Sequence, residues 1–102
     1  MEEGLLKGTM SELELISRHL LMLKAIKSNQ PVGIIRLSEI TGIPRHKVRY
    51  SLRLLEKDGL ISATQEGAVV SDEYDDFILR LQSSLESAIA KANEIREKLH
   101  GE

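Results

Sequence analysis

The chain has 102 residues, of which 41% are hydrophobic, 29% charged and 3% aromatic, and it contains no cysteine. That composition excludes a disordered polymer, a disulfide framework and a thiolate metal centre, and it predicts a single small domain with an aliphatic core and one appended helix. The formal net charge of −2 excludes a strongly basic protein that coats any anionic surface.

Charge is distributed unevenly along the chain. Residues 1–30 carry four cations and four anions, residues 31–63 six and three, and residues 64–102 four and nine. A basic middle beside an acidic tail points to a local anionic partner for the middle segment. The opening "MEEGLLKGTM" has no basic region followed by a long apolar stretch. The best apolar run, "HLLMLKAI", is interrupted by Lys24 and is far shorter than the roughly 20 residues a bilayer requires. A cytoplasmic location without a membrane partner is the expectation.

Ser11 and Glu14 have the spacing of a capping box, and apolar residues follow at Leu13, Ile16, Leu20, Leu23 and Ile26. This predicts a first helix from Ser11 to about Ser28–Asn29. Leu15 and Met22, seven residues apart, give it a second apolar stripe. Pro31 and Gly33 in "NQPVGI" break the helix into a loop. "IRLSEITG" predicts a short helix carrying Leu37 and Ile40, stopped by Gly42. Pro44 then presets the backbone for another helix start, predicted to run to about Lys57.

On a helical wheel, Val48, Leu52 and Leu55 of that third helix fall on one face. Arg45, His46, Arg49, Tyr50, Arg53 and Lys57 spread over the flank and the opposite side, where only Glu56 opposes them in sign. After Asp58-Gly59, the β-prone runs "LISAT" and "AVVS", separated by Gln65-Glu66-Gly67, predict a small hairpin without Lys or Arg.

From Asp72 to His100 there is neither Gly nor Pro. Tyr74, Ile78, Leu81, Leu85, Ala88, Ala92, Ile95 and Leu99 recur in alternating steps of four and three, which is the period of a coiled-coil seam. Ala88 and Ala92 permit close helix approach at mid-length. The predicted architecture is mainly α with a small β-hairpin: one domain over residues 11–71 and a dimerisation helix over residues 72–100. Its seam is assigned to Ile78, Leu81, Leu85, Ala88, Ala92, Ile95 and Leu99, with Phe77 and Ile89 on the flanks.

The stretch "LSEITGIPRHKVRYSLRLLEKDGLI" resembles the core of winged helix-turn-helix DNA-binding proteins, the MarR/ArsR-like regulators and archaeal winged-helix regulators that pair through a C-terminal helix. The likeness lies in the apolar residue and glycine at the turn, in Val48, Leu52 and Leu55 inside, and in the "LEKDGLI" ending that feeds a wing. It covers the chain from about Ile16 onward at the level of pattern. The resemblance implies a recognition helix in the major groove of double-stranded DNA, with Arg45, His46, Arg49 and Tyr50 toward base edges and Lys47, Arg53 and Lys57 toward phosphate. It further implies a homodimeric transcriptional regulator. Two departures are visible: Pro44 follows Ile43 where a capping Ser or Thr often opens the helix, and the wing tip carries Glu66 and no cation.

A bland reading stands beside each of these. A basic helix is often only a solvated face, and a heptad pattern can describe a helix folded across its own domain. The turn before the basic helix and the segregation of charge favour DNA binding, and the length and regularity of the seam favour pairing. Arg18 and Arg36 are candidates to extend the basic surface, although each singly is expected to be an ordinary surface residue. Asp72, Glu73, Asp75 and Asp76 suit the positive end of a helix dipole better than a cation. His19, His46 and His100 lack metal-ligand spacing, and no phosphate-binding glycine loop or nucleophile–base grouping is present. The expectation is therefore a protein with no cofactor, no metal and no catalytic activity. The competing reading from a different class is a winged-helix module whose basic face docks an acidic surface of a larger transcription or processing complex.

Overall fold

Leu6, Met10 and Leu13 continue the helical spacing toward the N-terminus, ahead of the expected cap. In the computed structural model, which describes residues 4–101, α1 accordingly spans Lys7–Asn29. Ser11 and Glu14 lie inside it and form no capping box. The N-cap is Leu6, without a side-chain hydrogen bond, and the Met10 N–H donates to the Leu6 carbonyl at 2.8 Å. The helix thus begins before the expected domain start at residue 11, while its end at Asn29 agrees with the sequence reading. There the Asn29 Nδ2 donates to the Ala25 carbonyl at 2.8 Å.

Helix α2 covers Ile34–Thr41 and α3 covers Arg45–Lys57, so the loop, the short helix and the third helix fall where predicted. Gly42 closes α2 in the left-handed conformation, at φ 75°, which costs a residue without Cβ least. Its N–H donates to the Ser38 carbonyl at 2.9 Å. Side chains complete the turn. Ser38 Oγ donates to the Ile43 carbonyl at 2.6 Å, and Thr41 Oγ1 donates to the Leu37 carbonyl at 2.7 Å while accepting from the Ile43 N–H at 3.2 Å. Pro44 is the N-cap of α3, and its carbonyl accepts from both the Lys47 and Val48 N–H groups at 3.0 Å. Backbone acceptance and a fixed proline φ thus take the place of a capping hydroxyl.

After α3, Leu60 N–H reaches back to the Leu55 carbonyl at 2.9 Å and turns the chain into β1, Ile61–Thr64. Strand β2, Gly67–Val70, pairs antiparallel with it in the register Ile61 to Val70 through Thr64 to Gly67. This is the predicted hairpin, with Gly67 as the first residue of β2. A feature the sequence reading missed lies on the other edge of β2. Val32, placed in a loop by Pro31 and Gly33, bridges to Ala68 through N–H to carbonyl bonds of 3.1 and 2.8 Å. Close approach is possible because Gly67 lacks a side chain: a Cβ there would sit 2.6 Å from the Val32 backbone, and φ is +136°. Gln30 Oε1 adds an acceptor for the Val70 N–H at 2.8 Å.

Helices α1, α2 and α3 and the hairpin enclose one aliphatic core. Met22, Leu23, Ile26, Leu37 and Val48 are fully buried, and Leu55, Val32, Leu60, Ile61 and Ala68 are nearly so. Burying such side chains stabilises by roughly 1.5–3 kcal/mol each before chain entropy is counted. Leu52, expected inside, is only half-buried, while Ser51 is fully buried. Ser51 lies three residues after Val48 and four before Leu55, so it shares their face.

Helix α4 spans Tyr74–His100 without interruption, and its C-cap Gly101 donates to the Glu97 carbonyl at 3.0 Å. The chain divides into two compact units, Met1–Asp72 and Glu73–Glu102. It is mainly helical with a small two-stranded antiparallel hairpin. None of the described helices is long and apolar enough to cross a membrane.

Candidate nucleic-acid interface

Helix α3 holds its face in place by burying the other one. Val48, Ser51 and Leu55 are inside, so the residues on the opposite side of the wheel point outward. Arg45, His46, Lys47, Arg49, Tyr50, Arg53 and Lys57 are all exposed. Tyr50 leaves half its surface in solvent, an unusual setting for an aromatic ring unless its polar tip and apolar body both meet a partner. His46, Lys47, Arg49, Tyr50 and Arg53 line one shallow depression of about 460 Å³. Lys57, in the last turn, lines neither this depression nor the next one.

The second depression, of about 590 Å³, runs between α3 and α2 and was not read from the sequence. Arg45 and Arg49 line one side, and Gly33, Ile34, Ile35, Arg36 and Glu39 line the other. Arg36, expected singly to be an ordinary surface residue, is thus brought beside two arginines of α3. It pairs with Glu39 at 3.7 Å, but both side chains are about two-thirds exposed, so the pair holds Arg36 weakly. The signal in the sequence was the placement of Arg36 on α2, one tight turn before α3. Arg18, also expected to be an ordinary surface residue, is instead half-buried on α1, with a buried Nε that has no hydrogen-bond partner.

The hairpin tip presents Gln65 and Glu66, both exposed, with no cation. Thr64 Oγ1 ties this turn together, donating to the Gly67 carbonyl at 2.6 Å and accepting from the Glu66 N–H at 3.2 Å. The basic surface therefore belongs to α3 and the start of α2.

Other titratable groups belong to other elements. Burial holds the His19 imidazole below its ordinary value, Arg18 adds to that effect by repulsion, and Asp58 opposes it. Asp75 and Asp76 occupy the first turn of α4, where their charge suits the helix dipole, and Asp76 also accepts from Arg80 Nε at 2.8 Å. No group of three His, Cys, Asp or Glu side chains that would hold a metal ion occurs among the described residues.

On α4 the seven assigned seam residues lie along one helical face. Ile78 and Leu81 are half-buried, and Leu85, Ala88, Ala92, Ile95 and Leu99 are exposed. Ile89 on the flank is 60% exposed and Leu99 76%.

No family model matches the chain, and a search of curated proteins finds no significant relative.

Proposed function

We propose that this protein is a winged helix-turn-helix protein that binds double-stranded DNA as a homodimer and regulates transcription. In this reading α2 and α3 form the helix-turn-helix, the hairpin is the wing, and α4 is the dimerisation coiled coil. The observation that carries it is the segregated face of α3. Five cations project outward from a helix anchored by Val48 and Leu55, on a chain that is acidic overall. A recognition helix needs that separation, because it must be held rigidly from behind while Arg reads guanine edges and neighbouring cations meet phosphate.

The roles divide by position. Arg45, His46, Arg49 and Tyr50, on the N-terminal half of α3, serve base edges. Lys47, Arg53 and Lys57 serve phosphate, and Arg36 extends the phosphate contact across the depression beside α2. One short helix without a basic wing gives limited affinity, so two copies acting together supply the rest. The protein works by binding, with no catalytic step, metal or cofactor.

The test is a titration of mixed-sequence duplex DNA at low and moderate salt, on protein of known mass in solution. Steep loss of affinity with salt is expected, since each phosphate contact releases counterions. Binding that is feeble at every salt concentration would sink the DNA reading. It would favour instead a module that docks an acidic protein surface, a role for which exposed Ile35 beside Arg36 would then supply the apolar contact.

A further inference from the structure

The exposed face of α4 discriminates between the possible arrangements of two copies, because its layer residues and flanking charges fit them unequally. In heptad terms Ile78, Leu85, Ala92 and Leu99 are a positions, and Leu81, Ala88 and Ile95 are d positions. The flanks are Asp75, Gln82, Ile89 and Arg96 on the e side and Phe77, Ser84, Lys91 and Lys98 on the g side.

Two parallel helices in register stack like on like. Ala88 and Ala92 would then form two consecutive all-alanine layers, burying little apolar area at mid-seam, while Leu85 meets a second leucine just above. Flank pairing in the parallel form joins a g residue to the e residue five positions on, which sets Lys91 against the partner's Arg96, twice over. No opposite-charge pair compensates.

Antiparallel helices join a to d instead. One register places Ile78 against the partner's Ile95, Leu81 against the partner's Ala92, and Leu85 against the partner's Ala88. With their symmetry mates these make six layers, each containing at least one branched aliphatic side chain, and two of the three kinds set a large residue against a small one. On the e flank Asp75 then faces the partner's Arg96, an opposite-charge pair that occurs twice. Gln82 faces the partner's Ile89. On the g flank Phe77 meets the partner's Lys98 and Ser84 the partner's Lys91, so no like charges meet. Sliding one heptad along sets Ala88 against the partner's Ala92 and Lys91 against the partner's Lys91, which forfeits both advantages. Sliding the other way leaves Ile95 outside the layers and sets Asp75 against the partner's Ile89, so the charge pair is lost.

We infer that α4 pairs with a second copy of itself in antiparallel orientation, in the register that sets Ile78 against the partner's Ile95 and Asp75 against the partner's Arg96. The inference rests on the homodimer reading above and adds the orientation and register to it. Leu99 lies outside the six layers in this register, beyond Ile95.

The experiment uses the full chain, whose lack of cysteine makes engineered disulfides unambiguous. The doubly substituted Ile78→Cys, Ile95→Cys protein is oxidised in a glutathione buffer, and its bonds are mapped by digestion and mass spectrometry. At 1.5 Å per residue the two sites on one helix are about 25 Å apart, so any bond between them joins two chains. Bonds from position 78 of one chain to position 95 of the other are expected; bonds between identical positions would overturn the orientation while leaving the dimer intact. A second variant avoids the seam altogether. Arg96→Glu should weaken dimerisation roughly 2- to 30-fold, as two attractive pairs become repulsive, and Asp75→Arg should restore it. In a parallel pair the sign reverses, because the carboxylate introduced by R96E would then attract Lys91. Unsubstituted protein that remains monomeric at all concentrations would remove the homodimer reading, and the orientation with it.

Discussion

Helices α3 and α4 are both amphipathic, yet they stand in opposite situations. On α3 the apolar residues are spent inside the chain: Val48 is fully buried and Leu55 has 2% of its surface exposed. On α4 the seam residues from Leu85 onward lie open, with Leu85 at 36%, Ile95 at 53% and Leu99 at 76%, while Ile78 and Leu81 are half-buried. The first helix is anchored and offers its charge to something else. The second offers its hydrophobic face. Monomeric soluble proteins seldom leave a contiguous apolar stripe of this length in water, so the contrast supports the proposal that the two helices meet different partners.

The sharpest way to break that contrast is to put a charge into the open seam. Leu85→Lys should abolish self-association at micromolar protein, because two desolvated ammonium groups would face the seam while losing a leucine contact each. Sedimentation equilibrium reads the result directly. A dimer that survives the change would show that pairing does not use this face, and that the period of four and three along α4 has another cause.

Next in size is the reciprocal change on the anchored helix. Leu55→Ala should cost ~2–5 kcal/mol of folding stability, the range for a buried leucine whose cavity collapses incompletely. Chemical denaturation measures it, with dimer mass checked alongside. Because the two helices differ in what they pack against, this variant should retain its self-association under native conditions while folding less stably. A loss below ~1 kcal/mol would mean that α3 is not held from behind as its burial implies, and the rigid presentation of its cations would fall with it.

Arg49→Ala tests the face that α3 presents. Arg49 lines both depressions, so it stands between the residues assigned to base edges and those that continue toward α2. A loss of ~1–3 kcal/mol in specific DNA affinity is expected if it reads a base, with a relaxed preference at one position of the site. A uniform loss across sequences, with a shallower salt slope, would reassign it to phosphate. Unchanged binding would take it out of the interface.

Much of this was legible in the sequence where local chemistry decides structure. Gly42 and Pro44 fixed the turn between α2 and α3 because one tolerates the left-handed backbone and the other presets a helical φ. The absence of Gly and Pro fixed the length of α4. Other features depend on distant partners and left no local trace. Val32 lies between Pro31 and Gly33, too short a run for strand alternation to show, and its bridge exists because Gly67 opens room beside it. The start of α1 was misplaced because Ser11 and Glu14 imitate a cap, while Leu6 and Met10 continue the helical period. Ser51 was discoverable from its place between Val48 and Leu55, but its hydroxyl disguised a core position. For the candidate interface, the exposure of the α3 cations followed from the wheel. The concavity that joins Arg36 to Arg45 and Arg49 did not, since it depends on the angle at which α2 and α3 meet.

The smallest expected effect separates the buried side of the molecule from its charged face by pH. Burial and the Arg18 charge hold the folded His19 value below 6.5, so the unfolded chain binds a proton there before the folded one does. Stability from this group is therefore complete above about pH 6.5 and declines as pH falls through that value toward the lower folded one. Asp58 limits the decline by favouring the charged ring. Denaturation midpoints taken between about pH 7.5 and 5.5 should fall in the parent protein and fall less in His19→Gln, which cannot gain the proton. Equal slopes in the two proteins would show that another group governs the acid side. Because His19 belongs to the packed side of the domain, its substitution should leave duplex-DNA affinity unchanged at the upper end of that range; a loss there would tie the core of α1 to the face of α3 and erase the separation drawn between anchoring and binding.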